Sequence, residues 1–504
     1  SIGSLIAVRK RTMDNAPTIP SEVITPNNPP TGWGILGDIY SRGWQRTDNT
    51  NNFLSFFATF AYSFKNRYVV NANVRNDASN VFGQDINHRI DPTYSFGLSW
   101  RASEEAFFQK HLKWITTLNF RGTFGIQGNA LTRESPELIL SQQGVQPGYN
   151  RYFSTIGQIP NPYLSWERTR NWNFGVDLEL FRMFYMNLEY YTRRSNAVIT
   201  VDLPFEYGID DMKRNGGIIY NRGIEYTLSF TPIQKRDFSL NINLNASKNW
   251  NKGGETKIDR NTAMYLRGGS TQILKEGYPL SAFWSYSFAG LDGSNGKPMF
   301  NYVEVPDEEK SKSIDPTTYL VYSGETEPYF TGGLGFSFRY KSLSLNTSFS
   351  LLLGSKKRLP SPYSDFQGSG SMMPDPTKNV NRDLLNRWQK PGDEVYTNIP
   401  GLPTWPIEIG WTLPNTDSAE SAIEMWEKSD AMVVSGSFLR CRNIGLSWQM
   451  KKEWCDKIHA KNLAINFNMD NIFVIASKRF NGFDPELENS IMPRSFSLGL
   501  NIGF

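Results

Sequence analysis

Residues 494–504 read RSFSLGLNIGF. Phe496, Leu498, Leu500, Ile502 and Phe504 are apolar, and Ser495, Ser497, Gly499, Asn501 and Gly503 between them are small or polar. Side chains of a β-strand point alternately to two faces, so this is a strand with one apolar and one wet side. The pattern recurs. FSLNINLNASKNW (238–250) sets Phe238, Leu240, Ile242, Leu244 and Ala246 against Ser239, Asn241, Asn243, Asn245 and Ser247. Residues 463–469 set Leu463, Ile465, Phe467 and Met469 against Ala464, Asn466 and Asn468. Such runs exceed the about five or six residues of an ordinary strand. They reach the about nine to eleven that a tilted strand needs to cross a bilayer.

Alternation of this kind predicts thirteen strands, over about 53–64, 66–77, 93–102, 113–127, 171–181, 183–194, 220–230, 237–250, 330–340, 342–354, 438–450, 461–474 and 494–504. Residues 2–10 are a candidate for the end of a fourteenth, and 281–289 is strand-like but falls within a loop. The connections alternate in length. Lys65-Asn66, Arg182, TPIQKR (231–236), Lys341, SEEAFFQKHL (103–112) and KKEWCDKIHA (451–460) are short. Residues 78–92, 128–170, 195–219, 251–329, 355–437 and 475–493 are mostly longer, and 11–52 precede the first full strand on the same side. Outer-membrane barrels have this asymmetry, with tight periplasmic turns and long extracellular loops.

Tryptophan placement tests the idea. Trp100, Trp114 and Trp448 fall at the tight-turn ends of their strands, and Trp172 and Trp250 at the loop ends; all five share parity with the apolar face. Indoles on that face at both ends suit seats at two headgroup layers. The opposite face carries Arg75, Asp177, Glu179, Glu189, Glu225, Arg339 and Asp470. A packed core does not hold so many charges, whereas a water-filled lumen does. A soluble sandwich, propeller or solenoid would show shorter strands and no length asymmetry.

Composition is compatible. The chain has 504 residues, a mean hydropathy of −0.46, 14% aromatics and a net charge of only +4. No basic block points to nucleic acid. No apolar run reaches the about eighteen residues of a transmembrane helix. SIGSLIAVRK does not read as a signal peptide. Cys441 and Cys455 would lie near opposite ends of one strand, too far apart for a disulfide, and His88, His111 and His459 suggest no metal site. No phosphate loop, paired Cys/His spacing or nucleophile elbow is found, so no enzyme and no cofactor is expected.

The residues resemble a family, the SusC/RagA-like TonB-dependent transporters of Bacteroidetes. The likeness runs in order through RYVVNANVRNDASNVFG (67–83), GLSWRASEEAF (97–107), RGTFGIQGN (121–129), PNPYLSWERTRNWNFGVDLELF (160–181) and NRGIEYTLSF (221–230). It continues through EGYPLSAFWSYSFAGLDGSNG (276–296), PYFTGGLGFSFRYKSLSL (328–345), RWQKPGD (387–393), SFLRCRNIGLSW (437–448), NMDNIFVIASKRFNGFDPE (468–486) and the final strand. The resemblance implies an all-β transmembrane antiparallel barrel of about twenty-two strands with a plugged lumen. Residues 1–504 would be its C-terminal majority, thirteen or fourteen strands, with signal peptide, TonB box and plug upstream. One piece of a split barrel is an equivalent reading; a complete fourteen-stranded barrel would need 2–10 as a full strand.

The resemblance further implies import of a large nutrient across the outer membrane, driven by TonB through the plug. Oligosaccharides are the expected substrate and oligopeptides the alternative; a passive porin or a surface-protein assembly scaffold are readings of other classes. A SusD-like lipoprotein would sit on the long loops, with transporter–lipoprotein pairs forming a dimer in contact with membrane lipid and lipopolysaccharide. Trp388, Trp405, Trp411 and Trp426, all within 355–437, are candidates for lid or substrate contact, or for packing that loop against itself. Phe504 resembles the terminal aromatic of a barrel-assembly signal. Asp292-Gly293 and Asp484-Pro485-Glu486 could be calcium ligands, but read better as turn formers.

Overall fold

The computed structural model describes residues 2–13, 48–79, 90–129, 138–146, 151–203, 205–209, 211–255, 263–267, 274–301, 316–363, 379–402, 421–487 and 490–504. Fourteen strands form one sheet in chain order. They are β1 (Ile2–Met13), β2 (Asp48–Phe64), β3 (Tyr68–Ser79), β4 (Ile90–Arg101), β5 (Ile115–Asn129), β6 (Glu167–Leu180) and β7 (Phe184–Asp202). Then come β8 (Asp211–Gln234), β9 (Phe238–Gly253), β10 (Phe330–Tyr340), β11 (Leu343–Leu353), β12 (Phe438–Gln449), β13 (Asn462–Ala476) and β14 (Ser495–Gly503). Each neighbouring pair with a described register is antiparallel, as a meander requires.

The thirteen expected strands are all present, with changes at their ends. β7 and β8 run through most of the 195–219 stretch expected as loop, leaving only 203–210 between them. β6 starts at Glu167, so Trp172 lies well inside its strand and not at the loop end. β1 extends to Met13 and is 12 residues long. The 128–170 loop carries its own hairpin, Ile139–Gln146 paired with Arg151–Gln158. Residues Ala282–Tyr286 and Phe288–Leu291 are strands outside the main sheet, paired with Leu320–Glu325 and Pro298–Phe300. Of the 11–52 loop, residues 14–47 lie outside the described residues.

The tight turns have a local cause. Lys65 and Asn66 sit at φ 49° and 58°, and Phe181 and Arg182 at 52° and 58°. Two successive left-handed residues match the right-handed twist of the flanking strands, as short hairpins require.

By contacts the chain divides into two compact units, one of residues 1–98, 123–171 and 195–216, the other of 99–122, 172–194 and 217–504. In the first, Phe56, Phe60, Tyr62 and Phe64 of β2 and Tyr68 and Val74 of β3 stay exposed, Phe60 at 57%. Between the same strands, Arg75 pairs with Asp77 at 2.7 Å and donates to Ser55 Oγ at 3.1 Å. In the second unit, Leu98's counterparts on later strands behave alike: Phe120, Phe174, Leu446 and all of β14's apolar residues are exposed. Its buried apolar cluster lies in the long connections instead. Leu266, Trp284, Tyr286, Phe300 and Leu320 from 254–329 pack with Tyr363, Leu384, Ile423, Met425, Trp426 and Met432 from 354–437. Cys441 and Cys455 are both free and buried.

Candidate functional site

The polar face of the second unit is built by alternation on β5, β6 and β7. Thr117, Asn119 and Arg121 face Asp177 and Glu179, and Asn187 and Glu189 complete the group. Arg121 lies between Asp177 (3.1 Å) and Glu189 (2.8 Å). Asn187 and Asn119 donate to Asp177 at 2.7 and 3.0 Å, Asn173 to Glu189 at 3.2 Å, and Thr117 to Glu179 at 2.9 Å. A side chain at Gly175 would begin 3.1 Å from Arg121 Nη2, so glycine leaves the guanidinium its place. The two carboxylates around Arg121 are partly exposed and hydrogen-bonded, the state of charges beside water.

From β8 onward the same face is mostly uncharged. Asn241 donates to Thr231 at 2.9 Å, and Asn243 to Asn241. Asn443 and Ser495 donate to Asp470 at 2.7 and 3.0 Å. Amides and hydroxyls offer both donors and acceptors to water or to a polar solute, but no acid–base pair or nucleophile with its base.

Above one end of the wall, the loop cluster is fastened by arginines. Arg358 donates to the carbonyls of Arg267 and Trp284, both at 3.1 Å, and to Ser285 Oγ at 3.2 Å. Burial, and then the neighbouring Arg267 charge, lower its pKa to about 10. Tyr363 donates to Pro400 O, and its hydroxyl is pushed up by burial. At the root of 477–494, Arg440 is 3% exposed and pairs with Asp484 and Glu486, each at 2.7 Å. Burial works against the Asp484 carboxylate. Hydrogen bonds from Arg440 and the N–H groups of Glu486 and Leu487 outweigh it and hold the group below the usual carboxylate range.

Arg440 faces its partners because the ladder slips. Between Ser348/Phe349 and Cys441/Asn443 the register of β12 gains one residue, Arg442. Cys441 therefore sits opposite Phe349 on the apolar side, and Arg440 opposite Ser350 on the polar side. Strict alternation back from Trp448 would have turned Arg440 the other way.

The tryptophans divide. Trp100, Trp114, Trp172, Trp250 and Trp448 are 37–47% exposed on the apolar face. Trp100 stacks on Phe120, Trp114 on Phe181 and Trp172 on Phe174. Trp426 is 1% exposed, packed inside the loop cluster edge-on to Tyr363. Trp388 is half-buried, donates to Glu394 at 3.2 Å, and covers the Gly296 turn so closely that a Cβ there would lie 2.3 Å from the ring. Trp405 and Trp411 lie outside the described residues. Phe504 is 76% exposed, and its carbonyl accepts from Lys461 at 2.9 Å. Asp292 accepts from Ser294 N and Oγ and from Asn295, which is turn chemistry, and Asp484 is taken up by Arg440 and Glu486 N.

Three features had no signal in the sequence. Val395 and Tyr396 project from the loop platform, 77% and 89% exposed. Beside them a groove of about 270 Å³ is lined by Pro360, Asn381, Tyr396, Arg479, Phe480 and Phe483. A second groove, of about 870 Å³, opens on the apolar face between Tyr190, Tyr220, Arg222 and Trp250. Each groove joins residues far apart in the chain, which periodicity does not reveal.

The chain is similar to known proteins. SusC, a TonB-dependent receptor of Bacteroides thetaiotaomicron, is 25% identical over 486 residues, 90% of this chain and 44% of the relative. TonB-dependent receptor P3 of Formosa agariphila is 23% identical over 502 residues, 90% and 46% of the two chains. The chain thus spans about half the length of the curated relatives it matches. Among solved structures, one titled the RagAB peptide transporter superposes with a TM-score of 0.71 at 21% identity, covering 96% of this chain and 50% of the other, which supports the fold. The family described as "TonB dependent receptor-like, beta-barrel" matches residues 14–349 of the 504. With an exposed apolar face, a polar face opposite it and folded loops at one end, the chain belongs to that family, a family of outer-membrane transporters and not of enzymes.

Proposed function

We propose that this chain is the wall and extracellular rim of a TonB-dependent importer of oligosaccharides, acting with a SusD-like surface lipoprotein. The observation that carries this is the division of labour between faces: apolar toward lipid, amide- and hydroxyl-rich toward the lumen, with a folded platform over the lumen end. Trp100, Trp114 and Trp448 seat at the periplasmic headgroup layer, and Trp250 at the outer one, with Trp172 beneath it. The many amides and hydroxyls of the polar face suit hydroxylated solutes, which need many weak hydrogen bonds. TonB acts through the plug expected upstream, and Phe504 marks the last strand for assembly. The lipoprotein rests on the platform, where Val395 and Tyr396 supply exposed apolar contact. Transporter–lipoprotein pairs associate as a dimer.

The test is to isolate the full-length complex from native membranes, identify its other chains and bound ligand, and measure uptake of oligosaccharides and oligopeptides in a deletion strain. Loss of growth on one glycan, with a co-purifying lipoprotein, is the expected result. Loss of oligopeptide uptake alone would shift the substrate to the kind named for the RagAB transporter. Uptake independent of TonB would make it a porin, and no uptake defect a scaffold. Protease added to intact cells should cut within 355–437 before 451–460; the reverse order would invert the topology.

A further inference from the structure

Arg442 is the residue by which β12 exceeds β11. Ser348 stands opposite Asn443 and Phe349 opposite Cys441, and Arg442 between them has no partner in the ladder. β13 is disturbed at the same level: Cys441 faces Phe473, Asn443 faces Asp470, and Asn471 sits at φ 54°. An extra residue bends its strand and re-aims a side chain, and such bulges gather at barrel rims and next to active sites. Here the re-aimed group is a guanidinium. Its Nε donates to Ser350 Oγ at 3.1 Å, and Ser350 belongs to the polar face. The Arg442 side chain therefore lies on that face and leans toward β11.

Three other arginines on the polar face of this unit are engaged. Arg121 lies between Asp177 and Glu189, Arg440 is buried against Asp484 and Glu486, and Arg339, at the tight-turn end, donates to Arg236 O at 3.2 Å. Arg442 is exposed, and its Nη1–Nη2 fork meets no described carboxylate. Among the described residues, the polar rows of β11, β13 and β14 carry a single charge, Asp470. That carboxylate already accepts from Asn443 and Ser495, on the side of β12 away from Ser350. Arg442 also stands near the loop end of its strand. It is roughly 20 Å along β12 from Trp448, just below the Arg440 clamp.

We infer that Arg442 is a specificity-determining residue that takes a carboxylate of the transported solute, so that the substrate is an acidic oligomer. The free fork matches the two oxygens of a carboxylate, and charge-assisted pairs of this kind are the strong ones. The surrounding amides and hydroxyls bond the rest of the solute. A guanidinium with no built-in counter-ion favours a solute that brings one, and a neutral solute gains nothing from it. A uronic acid in an oligosaccharide and an acidic side chain or C-terminus in a peptide present this same group. The assignment deepens the import reading above and rests on its orientation of the polar face.

The experiment uses the full-length transporter with its co-purifying chains in detergent. Phenylglyoxal should modify Arg442, read by peptide mass spectrometry. Binding is then measured on an array of neutral, uronate-bearing, methyl-esterified and sulfated oligosaccharides and of acidic and amidated peptides. Uronate-bearing glycans or acidic peptides should bind, lose binding on esterification or amidation, and protect Arg442 from phenylglyoxal; which of the two binds identifies the source of the carboxylate. Arg442→Gln should weaken that binding about tenfold. Arg442→Lys should recover part of it, since a point charge keeps the attraction and loses the fork. Arg339→Gln should change nothing, and slower migration only after heating confirms that every variant is folded. An Arg442 closed to phenylglyoxal, binding confined to neutral or sulfated compounds, no binding on the array, or an equal loss in Arg339→Gln would each overturn the assignment. Uptake by cells is read separately. Absent TonB-dependent uptake with Arg442-dependent binding intact would sink the import reading and leave this one standing; TonB-dependent uptake indifferent to Arg442→Gln would do the reverse.

Discussion

On β9, Trp250 is 44% exposed; in the loop platform, Trp426 is 1% exposed. Both belong to the same chain and the same compact unit, yet they stabilise it by opposite means. Wall residues such as Trp250 stay exposed on the apolar face, so alternation alone positions them. Platform residues meet water, so 254–329 and 354–437 must cover each other's apolar groups as an ordinary soluble domain does. The wall is a solvent-matching surface, and the platform is a small core set on top of it.

Substitutions should separate the two. Trp426→Ala should cost the platform about 3–5 kcal/mol, because the surrounding cluster cannot refill the space. Limited proteolysis should then cut 355–437 quickly while the wall keeps its resistance to heating in detergent. Simultaneous loss of both would show that the platform and wall fold as one.

Arg440→Ala should cost a comparable amount, about 3–5 kcal/mol, by leaving Asp484 buried without its partner. Hydrogen exchange at 477–494 reports it, and Arg440→Met with Asp484→Leu should restore protection. The same clamp has a pH signature. The Asp484 carboxylate is held below its ordinary value, so its contribution is fully present above the unfolded carboxylate pKa of about 3.9 and is lost as pH falls through the folded value. Protection of 477–494 should be flat from neutral pH to about 4 and fall only in stronger acid. Loss beginning near pH 6 would point to another group.

Leu244→Arg should cost about 2–4 kcal/mol if Leu244 lies near the bilayer midplane, while Asn243→Arg should be mild. Refolding into vesicles measures both, and equal effects would contradict the facing of β9. Tyr396→Ala, on the exposed tip of the platform, should change stability by less than about 0.5 kcal/mol. It should nonetheless weaken lipoprotein co-purification, because exposed tyrosines commonly anchor interfaces. An unchanged complex would move the lid contact elsewhere.

The wall was legible because its signal is local. Phe238, Leu240, Ile242 and Leu244 announce a face without reference to any other strand, and the lengths of 65–67 and 254–329 announce which end is which. Extension of β7 and β8 past residues 194 and 220 was not legible, since there the alternation breaks while backbone pairing continues. Trp426 was ambiguous for a related reason: a tryptophan in a long loop reads alike whether it is buried or exposed.

Residue types and their period determined by themselves that the chain is a membrane-facing strand meander with one elaborate end, because a strand's two faces are fixed by backbone geometry alone. Only the tertiary structure decided that a one-residue slip at Arg442 turns Arg440 toward Asp484, that two loops share one core, and that Arg222, Trp250 and Glu276 meet around a groove. Those outcomes depend on register and on contacts between segments tens or more residues apart, and no local pattern encodes them.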